Sequence, residues 1–286
     1  MATPAEPIDA DPAACLAGFV RSHPRLLVLT GAGCSTASGI PGYRDRDGAW
    51  SGRAPVQYRE FVESDHARRR YWSRSLLGWQ RVASAAPNPA HRALSALERA
   101  GIVRMLVTQN VDGLHQRAGS RRVVDLHGRL DEVECLGCGG RVSRQDVQRQ
   151  LLAWNPSFAD ALPGSAAPAR PDGDVQWEAD LSDFQVPACA SCGGVLKPAV
   201  VFFGENVPRA RVDAVMTVLR ESDGLLVVGS SLMVFSGYRF CLAAHAAGKP
   251  IAAVNIGRTR ADDLLALKVE DDCGCVLEGL RASLER

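Results

Sequence analysis

The sequence predicts an α/β fold whose main sheet is parallel, and three features of the chain support this. Short apolar runs at residues 26–29, 102–107 and 224–228 lack polar alternation, which is typical of strands covered on both faces. Segments with helical character lie between these runs, and alternating strands and helices imply a parallel sheet. Glycine-rich or polar residues follow each run directly. Since open α/β sheets bind ligands beyond the carboxyl ends of their strands, we expect the functional site at that edge.

The other elements follow from the same patterns. The predicted order is a helix at 13–21, a strand at 26–29, helical segments within 55–86 and at 92–99, a strand at 102–107, a loop-rich section at 133–194, a strand at 200–203, a helix at 209–221, a strand at 224–228, a helix at 238–247, a strand at 251–255 and a last helix–strand pair ending at 280. Residues 162–174 are rich in Pro, Gly and Ala and carry little strand or helix signal. His91, at a helix start, is predicted to cap or pack rather than to catalyse.

Composition excludes several classes of function. The chain has 286 residues and 46% hydrophobic content, enough for a sizeable core in one or two domains. The formal net charge is +1 and the arginines are scattered, so we expect no direct nucleic-acid binding. No apolar segment approaches the roughly 20 residues that a bilayer span needs, so we expect no membrane association. We expect a monomer.

Two cysteine pairs indicate a metal site. Four of the nine cysteines form the pairs Cys135-x-x-Cys138 and Cys189-x-x-Cys192, each followed by two glycines. Four thiolates at this spacing are typical of a closed, structural zinc site, although the long separation of the pairs requires an insertion that loops out. The alternative is two unrelated pairs.

Residues 1–12 lack Lys and Arg, which fits neither a signal nor a transit peptide, and together with a thiolate metal site this predicts a cytoplasmic protein.

Two polar segments are candidates for a nucleotide site. The strand at 26–29 ends in Gly31-Ala32-Gly33-Cys34-Ser35, and glycines let backbone amides approach a pyrophosphate. The spacing is not the full G-x-G-x-x-G, so an ordinary glycine turn remains the alternative. Beyond it, Tyr43 and Arg44 lie in a Gly- and Pro-containing loop, either a lid over the ligand or a surface loop. Past the strand at 102–107 come amides, a carboxylate and imidazoles at Gln109, Asn110, Asp112, His115 and His127.

The whole pattern resembles the sirtuins, the NAD-dependent protein deacylases. The matching stretches are G-A-G-C-S with S-G-I-P-G-Y-R (31–44), T-Q-N-V-D (108–112), L-H-G (126–128), both C-x-x-C pairs, K-P-A-V-V-F-F-G-E (197–205), V-G-S-S-L (228–232) and N-I-G (255–257). They occur in the family's order over roughly residues 25–277. R-Y-W-S-R, the insertion with P-D-G-D (171–174) and S-G-Y-R-F are similar to the class II branch, which includes a mitochondrial sirtuin with lipoamidase and ADP-ribosyltransferase activity.

The resemblance implies a domain organisation and two bound groups. A Rossmann-like domain that binds NAD is expected at residues 24–50, 88–132 and 199–286, after an N-terminal tail and helix at 1–23. A smaller domain, with a helical module and a zinc module, is expected at 51–87 and 133–198. The zinc ligands would be Cys135, Cys138, Cys189 and Cys192, and an acylated lysine of a protein or peptide would meet NAD in the cleft.

Site roles are likewise implied by the resemblance. His127 would be the general base, with Gln109 and Asn110 at the nicotinamide ribose. Cofactor-binding residues would be Gly31, Ala32, Gly33, Ser35, Tyr43, Arg44, Trp50, Gln109, Asn110, Val111, Asp112, Gly229, Ser230, Ser231, Asn255, Ile256, Gly257 and Cys273. Substrate-binding residues would be Tyr71, Arg74, Val201, Phe202, Phe203, Gly204, Glu205, Leu232 and Val234. His115 is the competing imidazole and is predicted to be structural support.

The implied reaction is transfer of an acyl group from lysine to ADP-ribose with release of nicotinamide. An imidazole with a reference pKa of roughly 6.5 suits deprotonation of a ribose hydroxyl near neutral pH. The alternative is mono-ADP-ribosyl transfer to protein. A non-catalytic module that binds zinc and a nucleotide is a third hypothesis, because Gly42 stands where the family usually has Asp and so loosens the loop. A hydride-transferring dehydrogenase is the least favoured.

The preferred acyl group is left open by the sequence. Tyr71-x-x-Arg74 matches the placement found in sirtuins that remove acidic acyl groups, where Arg pairs with a carboxylate. The alternative is a pair on one helix face in the core of the small domain, since residues at i and i+3 face the same way regardless.

Overall fold

Two β-sheets organise the chain in this computed structural model, which describes residues 11–50, 55–160 and 180–284. The strands are β1 (Leu26–Thr30), β2 (Val103–Thr108), β3 (Val123–Asp125), β4 (Gly128–Cys135), β5 (Arg141–Ser143), β6 (Leu196–Val200), β7 (Gly224–Val228), β8 (Ile251–Val254) and β9 (Leu267–Val269). The helices are α1 (Pro12–Ser22), α2 (Tyr58–Glu63), α3 (Asp65–Ser84), α4 (Pro89–Arg99), α5 (Leu114–Arg117), α6 (Arg144–Trp154), α7 (Pro156–Asp160), α8 (Arg209–Glu221), α9 (Phe235–Ala246) and α10 (Cys273–Leu284). Short 3-10 helices span Ala32–Ser38 and Asp262–Leu264.

The larger sheet is parallel throughout, with strand order β3-β2-β1-β7-β8-β9. All residues of β1, β7 and β8 are buried, as expected for apolar strands covered on both faces. The chain builds outward from β1 in one direction and from β7 in the other. The crevice between β1 and β7 is therefore the switch point at which doubly wound sheets bind ligands, and the α/β, Rossmann-like prediction is confirmed.

Helices cover both faces of this sheet. One core cluster brings together Leu16 of α1, Leu94 of α4 and Leu277 of α10. The other contains Val215 of α8 and Phe240 of α9. Helix α1 thus belongs to the core of the large sheet. None of the helices within the described ranges is long and apolar enough to cross a membrane.

The smaller sheet is antiparallel, in the order β5-β4-β6, and packs with the helical segments α2, α3 and α6 around a separate core. Trp72 and Leu151 are fully buried there. The guanidinium of Arg144 is also buried, 5.3 Å from the ring centroid of Trp72 and 5.0 Å from that of Trp79. Its Nη2 donates to the backbone oxygen of Ser75 at 3.1 Å.

Two predictions for this part of the chain were wrong. Residues 133–194 were predicted to be loop-rich, but they hold the end of β4 together with β5, α6 and α7. Helix α6 buries Arg144 and Gln148 beside Val147 and Leu151, so it lacks the apolar stripe by which an amphipathic helix is found. The strand predicted at 200–203 lies at Leu196–Val200, and it accommodates Pro198 because β6 is an edge strand.

Some expectations fall outside what the structure describes. The predicted insertion at 162–174, with P-D-G-D at 171–174, lies outside the described residues, as do most of the predicted tail and residues 51–54. The bounds of the two domains stay predictions.

The two sheets meet at His127 and Gly128. The backbone N–H of Val201, just after β6, donates to the carbonyl oxygen of His127 at 2.7 Å. Gly128 opens β4 with φ +81°, and a Cβ there would lie 2.0 Å from the carbonyl oxygen of Ala199. Only glycine provides both the left-handed conformation and the close approach. The candidate base therefore sits where the small sheet joins the large one.

Replacing Gly128 by alanine tests this junction. We expect Gly128→Ala to lower the free energy of unfolding by about 3 kcal/mol or more, from backbone strain and from the clash with Ala199. Gly248→Ala is the matched control, because Gly248 also has a left-handed φ, +65°, but a Cβ there would have no neighbouring atom within 4 Å. The control should lose only about 1–2 kcal/mol. Urea unfolding measures both, and equal losses would contradict this account.

Candidate active site

A cavity of about 570 Å³ lies beyond the carboxyl ends of β1, β2 and β7 and extends to the segment after β6. Its lining includes most of the residues predicted to bind the cofactor, namely Gly31, Ala32, Gly33, Ser35, Tyr43, Arg44, Trp50, Gln109, Asn110, Val111, Asp112, Gly229, Ser230, Ser231, Asn255, Ile256 and Cys273. It also includes His127 and the predicted substrate residues Tyr71, Val201, Phe202, Phe203, Gly204, Glu205, Leu232 and Val234. Gly257 and Arg74 are not among the described lining residues.

Three glycines give this cavity a floor of bare backbone. The N–H of Gly33 donates to the carbonyl oxygen of Gly229 at 2.8 Å. A Cβ on Gly31 would lie 2.7 Å from the Cβ of Ser230. Gly229 has φ +60°, and a Cβ there would lie 2.2 Å from the backbone nitrogen of Cys34. The turns after β1 and β7 can pack this closely only without side chains. Such a floor fits the pyrophosphate of a dinucleotide.

A carboxylate is fixed at the end of β2. Ser35 Oγ donates to Asp112 Oδ2 at 2.7 Å, and the backbone N–H of Leu114 donates to Oδ1 at 2.9 Å. Asn110 Nδ2 in turn donates to Ser35 Oγ and to the carbonyl oxygen of Gly31, both at 3.0 Å. Burial raises the pKa of Asp112 above its ordinary value, while the two donors to it act in the opposite direction. The network orients a carboxyl group that can accept from an amide N–H.

Gln109 links the two sides of the switch point. Its Oε1 accepts from Ser230 Oγ at 2.6 Å, and Ser230 Oγ accepts from the backbone N–H of Leu232 at 3.2 Å. Leu232 has φ +58°, a conformation that a branched side chain rarely adopts. The segment after β7 is therefore held in a strained form by contacts to the end of β2.

His127 has a defined proton arrangement. Its Nδ1 lies 3.0 Å from the carbonyl oxygen of Gln109, which can only accept, so Nδ1 carries the proton. The Nε2 lone pair then accepts from Ser236 Oγ at 2.7 Å. Burial lowers the pKa of His127 to about 4, well below the reference value of an imidazole. The imidazole is a neutral base at physiological pH.

Two other histidines, His91 and His115, are buried. His115 Nε2 lies 2.9 Å from Thr30 Oγ1, and burial lowers the pKa of His115 well below its ordinary value. His115 is buried and is not among the described residues that line the cavity, and its structural role stays a prediction. His91 forms a capping box with Asn88 at the start of α4, which confirms its predicted capping role.

The loop over the cavity is anchored by aromatic contacts. The guanidinium of Arg44 lies 4.2 Å from the ring centroid of Trp50 and donates to the carbonyl oxygen of Gly48 at 2.7 Å. Tyr43 and Trp50 both meet the ring of Phe203 edge to face. A Cβ on Gly42 would meet only backbone atoms of Arg44, the nearest at 3.4 Å. The loop therefore has room for the side chain that Gly42 lacks.

Several lining residues were not predicted. Arg46, Arg239 and Arg258 line the cavity along with Arg44, and isolated arginines give no sequence signal. Ser236, which contacts His127, was also missed. It lies at the start of α9, far along the chain from its partner, and no spacing rule connects the two.

The four paired cysteines converge as predicted. Cys135 Sγ and Cys192 Sγ are 3.5 Å apart, Cys138 Sγ and Cys189 Sγ are 3.8 Å apart, and all four sulfurs lie within 4.8 Å of one another. Zinc–sulfur bonds of about 2.3 Å give a tetrahedron with edges of about 3.8 Å, so the group fits zinc with no open position. A Cβ on Gly194 would lie 2.9 Å from Cys135 Sγ, which explains a glycine there.

Comparison with known proteins decides the family. The model of the Sir2 family matches residues 31–236. The chain belongs to the Sir2 family. It is 57% identical to "NAD-dependent protein deacetylase 2" of Bradyrhizobium diazoefficiens over 92% of this chain and 95% of that protein. It is 47% identical to "NAD-dependent protein deacylase Sirt4" of Drosophila melanogaster over 96% of this chain and 88% of that protein.

Solved Sir2 structures share the fold. A structure described as "Structural Basis for the Mechanism and Regulation of Sir2 Enzymes" has a TM-score of 0.75 and 32% identity, covering 96% of this chain and 98% of that one. A second, "Sir2-p53 peptide-NAD+", has a TM-score of 0.75 and 29% identity, covering 94% of this chain and 96% of that one. The resemblance to sirtuins found in the sequence motifs is confirmed, and NAD and zinc are the groups that this sirtuin's site and cysteine cluster fit.

Removal of one thiolate tests the metal site. We expect Cys192→Ala to bind zinc at least about tenfold more weakly than the parent chain and to unfold at a lower temperature, because three ligands replace four. Cys275→Ala is the control, since Cys275 is exposed and lies outside the cluster. Competition with a zinc chelator of known affinity measures the change. Unaltered zinc affinity in Cys192→Ala would contradict the assignment.

Proposed function

We propose that this chain is an NAD-dependent protein lysine deacylase, which transfers the acyl group of an acyl-lysine to ADP-ribose and releases nicotinamide. The observation that carries the proposal is the neutral His127, which lines a cavity that also holds the Asp112 carboxyl and the glycine floor. The base, the carboxyl group and the glycine floor therefore all lie at the switch point of the parallel sheet. The names of the relatives, NAD-dependent protein deacetylase and deacylase, support the same reaction.

Each residue has a task that follows from its chemistry. Bound NAD supplies an anomeric carbon whose leaving group already carries positive charge. Asp112 would accept from the nicotinamide amide and so fix the ring, and Gln109 and Asn110 would hold the adjoining ribose. Nε2 of His127 would take the proton from a ribose hydroxyl, so that this hydroxyl could receive the acyl group. Burial excludes water that would otherwise compete for the anomeric carbon.

The acyl-lysine peptide is proposed to bind as an added strand. Residues 201–205 and 232–234 both line the cavity and both lie outside the helices and strands. The N–H groups of Val201, Phe202 and Leu232 already donate within the protein, so a ligand strand would pair with the remaining backbone groups of these segments. Glu205 Oε2 accepts from the N–H of Phe202 at 2.9 Å, which shapes the first of these segments. Main-chain hydrogen bonds to both segments would give affinity with little dependence on peptide sequence.

For the acyl group, the structure supports an apolar chain over an acidic one. Tyr71 lines the cavity, but its hydroxyl is buried, and Arg74 is not among the described lining residues. Phe202 lies beside Tyr71, with ring centroids 5.3 Å apart. A panel of acetyl-, succinyl-, glutaryl- and lipoyl-lysine peptides, scored by nicotinamide release, decides between apolar and acidic groups.

Mono-ADP-ribosyl transfer to protein is the alternative activity. The relatives' names do not favour it. Labelled NAD that modifies a protein with no acyl-lysine present would distinguish it from deacylation.

We further propose that the chain acts as a monomer in the cytoplasm and binds no nucleic acid. Its near-neutral charge and its need for four reduced thiolates support this, and light scattering and fractionation test it.

Removal of the base should stop the reaction. We expect His127→Ala to lower NAD-dependent nicotinamide release from an acetyl-lysine peptide by roughly 100- to 10,000-fold, because no other imidazole reaches the cavity among the described residues. His245→Ala is the control, since His245 is exposed on α9. Zinc content measured in parallel shows that the variant is folded. Substantial turnover by folded His127→Ala would refute the assignment.

The pH dependence should differ from that of an ordinary histidine. The neutral imidazole is the active form, and burial lowers the pKa of His127 to about 4, so activity is lost only as pH falls through that range. We expect kcat/KM to stay constant from pH 8 to pH 6, where an unperturbed histidine would lose roughly fourfold. The profile is measured with an acetyl-lysine peptide. A midpoint near the ordinary histidine value would show that burial does not control the base.

A further inference from the structure

Ser236 and His127 have the arrangement of a nucleophile and its base. Ser236 Oγ lies 2.7 Å from Nε2 of His127, and the proton on Nδ1 is fixed by the carbonyl oxygen of Gln109 at 3.0 Å. The serine therefore donates its hydroxyl hydrogen to the imidazole lone pair. A hydroxyl that donates to a neutral imidazole, whose other nitrogen is held by an acceptor, is the arrangement by which serine hydrolases activate a nucleophile.

The local structure explains why these two side chains meet. Ser236 stands in the first turn of α9, and the next residue, Gly237, packs directly on the side chain of Gln109. A Cβ on Gly237 would lie 2.7 Å from Gln109 Nε2. The missing side chain lets the start of α9 approach the segment that also orients His127. Gln109 thus positions both members of the pair.

The pair lines the cavity and has a donor beside it. Ser236 is itself only 8% exposed, while the preceding Phe235, which also lines the cavity, is 52% exposed. The first backbone N–H groups of a helix have no partner within the helix and carry partial positive charge. In the twelve-residue α9 these include the N–H of Ser236 itself. An oxygen that gains negative charge next to Ser236 Oγ would meet this end of the helix.

We propose that Ser236 and His127 together cleave activated acyl esters without NAD. Ser236 Oγ attacks the ester carbonyl carbon while its proton passes to Nε2 of His127. The bond to the alcohol or phenol breaks, and the leaving oxygen takes the proton from Nε2. Water then attacks the acyl-serine, gives one proton to Nε2 and releases the acid, and the proton returns to Ser236 Oγ. The sum is ester plus water to acid plus alcohol.

The strength of the base limits the substrate class. Burial lowers the pKa of His127 to about 4, so the imidazolium formed in the first step is more acidic than that of an ordinary histidine and the step is uphill. A phenolate can leave from such an intermediate, whereas the amine of an acyl-lysine cannot leave readily. Amides therefore still require NAD, and the NAD-independent reaction is confined to esters with good leaving groups.

The test uses p-nitrophenyl acetate and the full, zinc-loaded chain with no NAD. We expect p-nitrophenol release with an initial burst and an acetyl group on Ser236, located by peptide mass spectrometry after an acid quench. Ser236→Ala and His127→Ala should each lower the protein-dependent rate by roughly 100-fold, because each removes one partner of the pair. Ser84→Ala is the control, since Ser84 is exposed on α3, and it should leave the rate unchanged.

A second variant guards against loss of the fold. Ser236→Cys keeps a nucleophile at the same position and should retain the burst, with the acetyl group on the new thiol. Zinc content and thermal midpoint are compared for all variants. Release that is unchanged in folded Ser236→Ala, or acetylation confined to other residues, would overturn the proposal. Because NAD is left out, this result is independent of whether the chain is a deacylase.

Discussion

The hydrogen bond from Nδ1 of His127 to the carbonyl oxygen of Gln109 is the interaction on which the site depends. It joins the residue that follows β2 to the residue that precedes β4, and so connects the parallel sheet to the antiparallel one. Because a carbonyl can only accept, the bond also fixes the tautomer and leaves Nε2 as the base. The side chain of the same Gln109 accepts from Ser230 at the end of β7. One residue thus sets the position of the base relative to both sides of the ligand crevice.

Burial shifts the pKa values of His127 and Asp112, the two titratable groups at the centre of the site. It lowers the pKa of His127 and raises that of Asp112, so both groups are moved toward their neutral forms. An uncharged imidazole can accept a proton, and the Asp112 carboxyl is held in place by the donors Ser35 Oγ and Leu114 N–H. Arg44, Arg46 and Arg258 line the same cavity, where their charge complements a pyrophosphate. The cavity therefore combines arginine side chains, whose charge suits phosphates, with a histidine that is uncharged at physiological pH.

How much the sequence predicts depends on how local the signal is. Strand β7 and helix α8 were predicted with the same bounds that the structure has, because a continuous apolar run and a polar amphipathic segment are local patterns. The four candidate zinc ligands were found because each C-x-x-C pair is a short spacing that can be read directly from the sequence. Helix α6 was missed, since Arg144 on its buried face is satisfied by stacking on Trp72 and Trp79, which lie in another helix. Ser236 was missed because only its contact with His127, which is distant in sequence, marks it as a site residue.

The zinc cluster and the active site share one strand. Cys135 is the last residue of β4, and Gly128, which follows His127, is the first, so metal and base are roughly 25 Å apart along one strand. The pairing of Cys135 with Leu196 and of Gly128 with Val200 ties the same strand to β6 at both ends. Lys197 of β6, itself buried, donates from Nζ to the carbonyl oxygen of Val200 at 2.7 Å and lies 3.3 Å from Glu205. Loss of the metal would free one end of both strands, and the first consequence at the cavity would be a shift of residues 201–205 relative to His127, because the backbone hydrogen bond from Val201 to His127 connects them there.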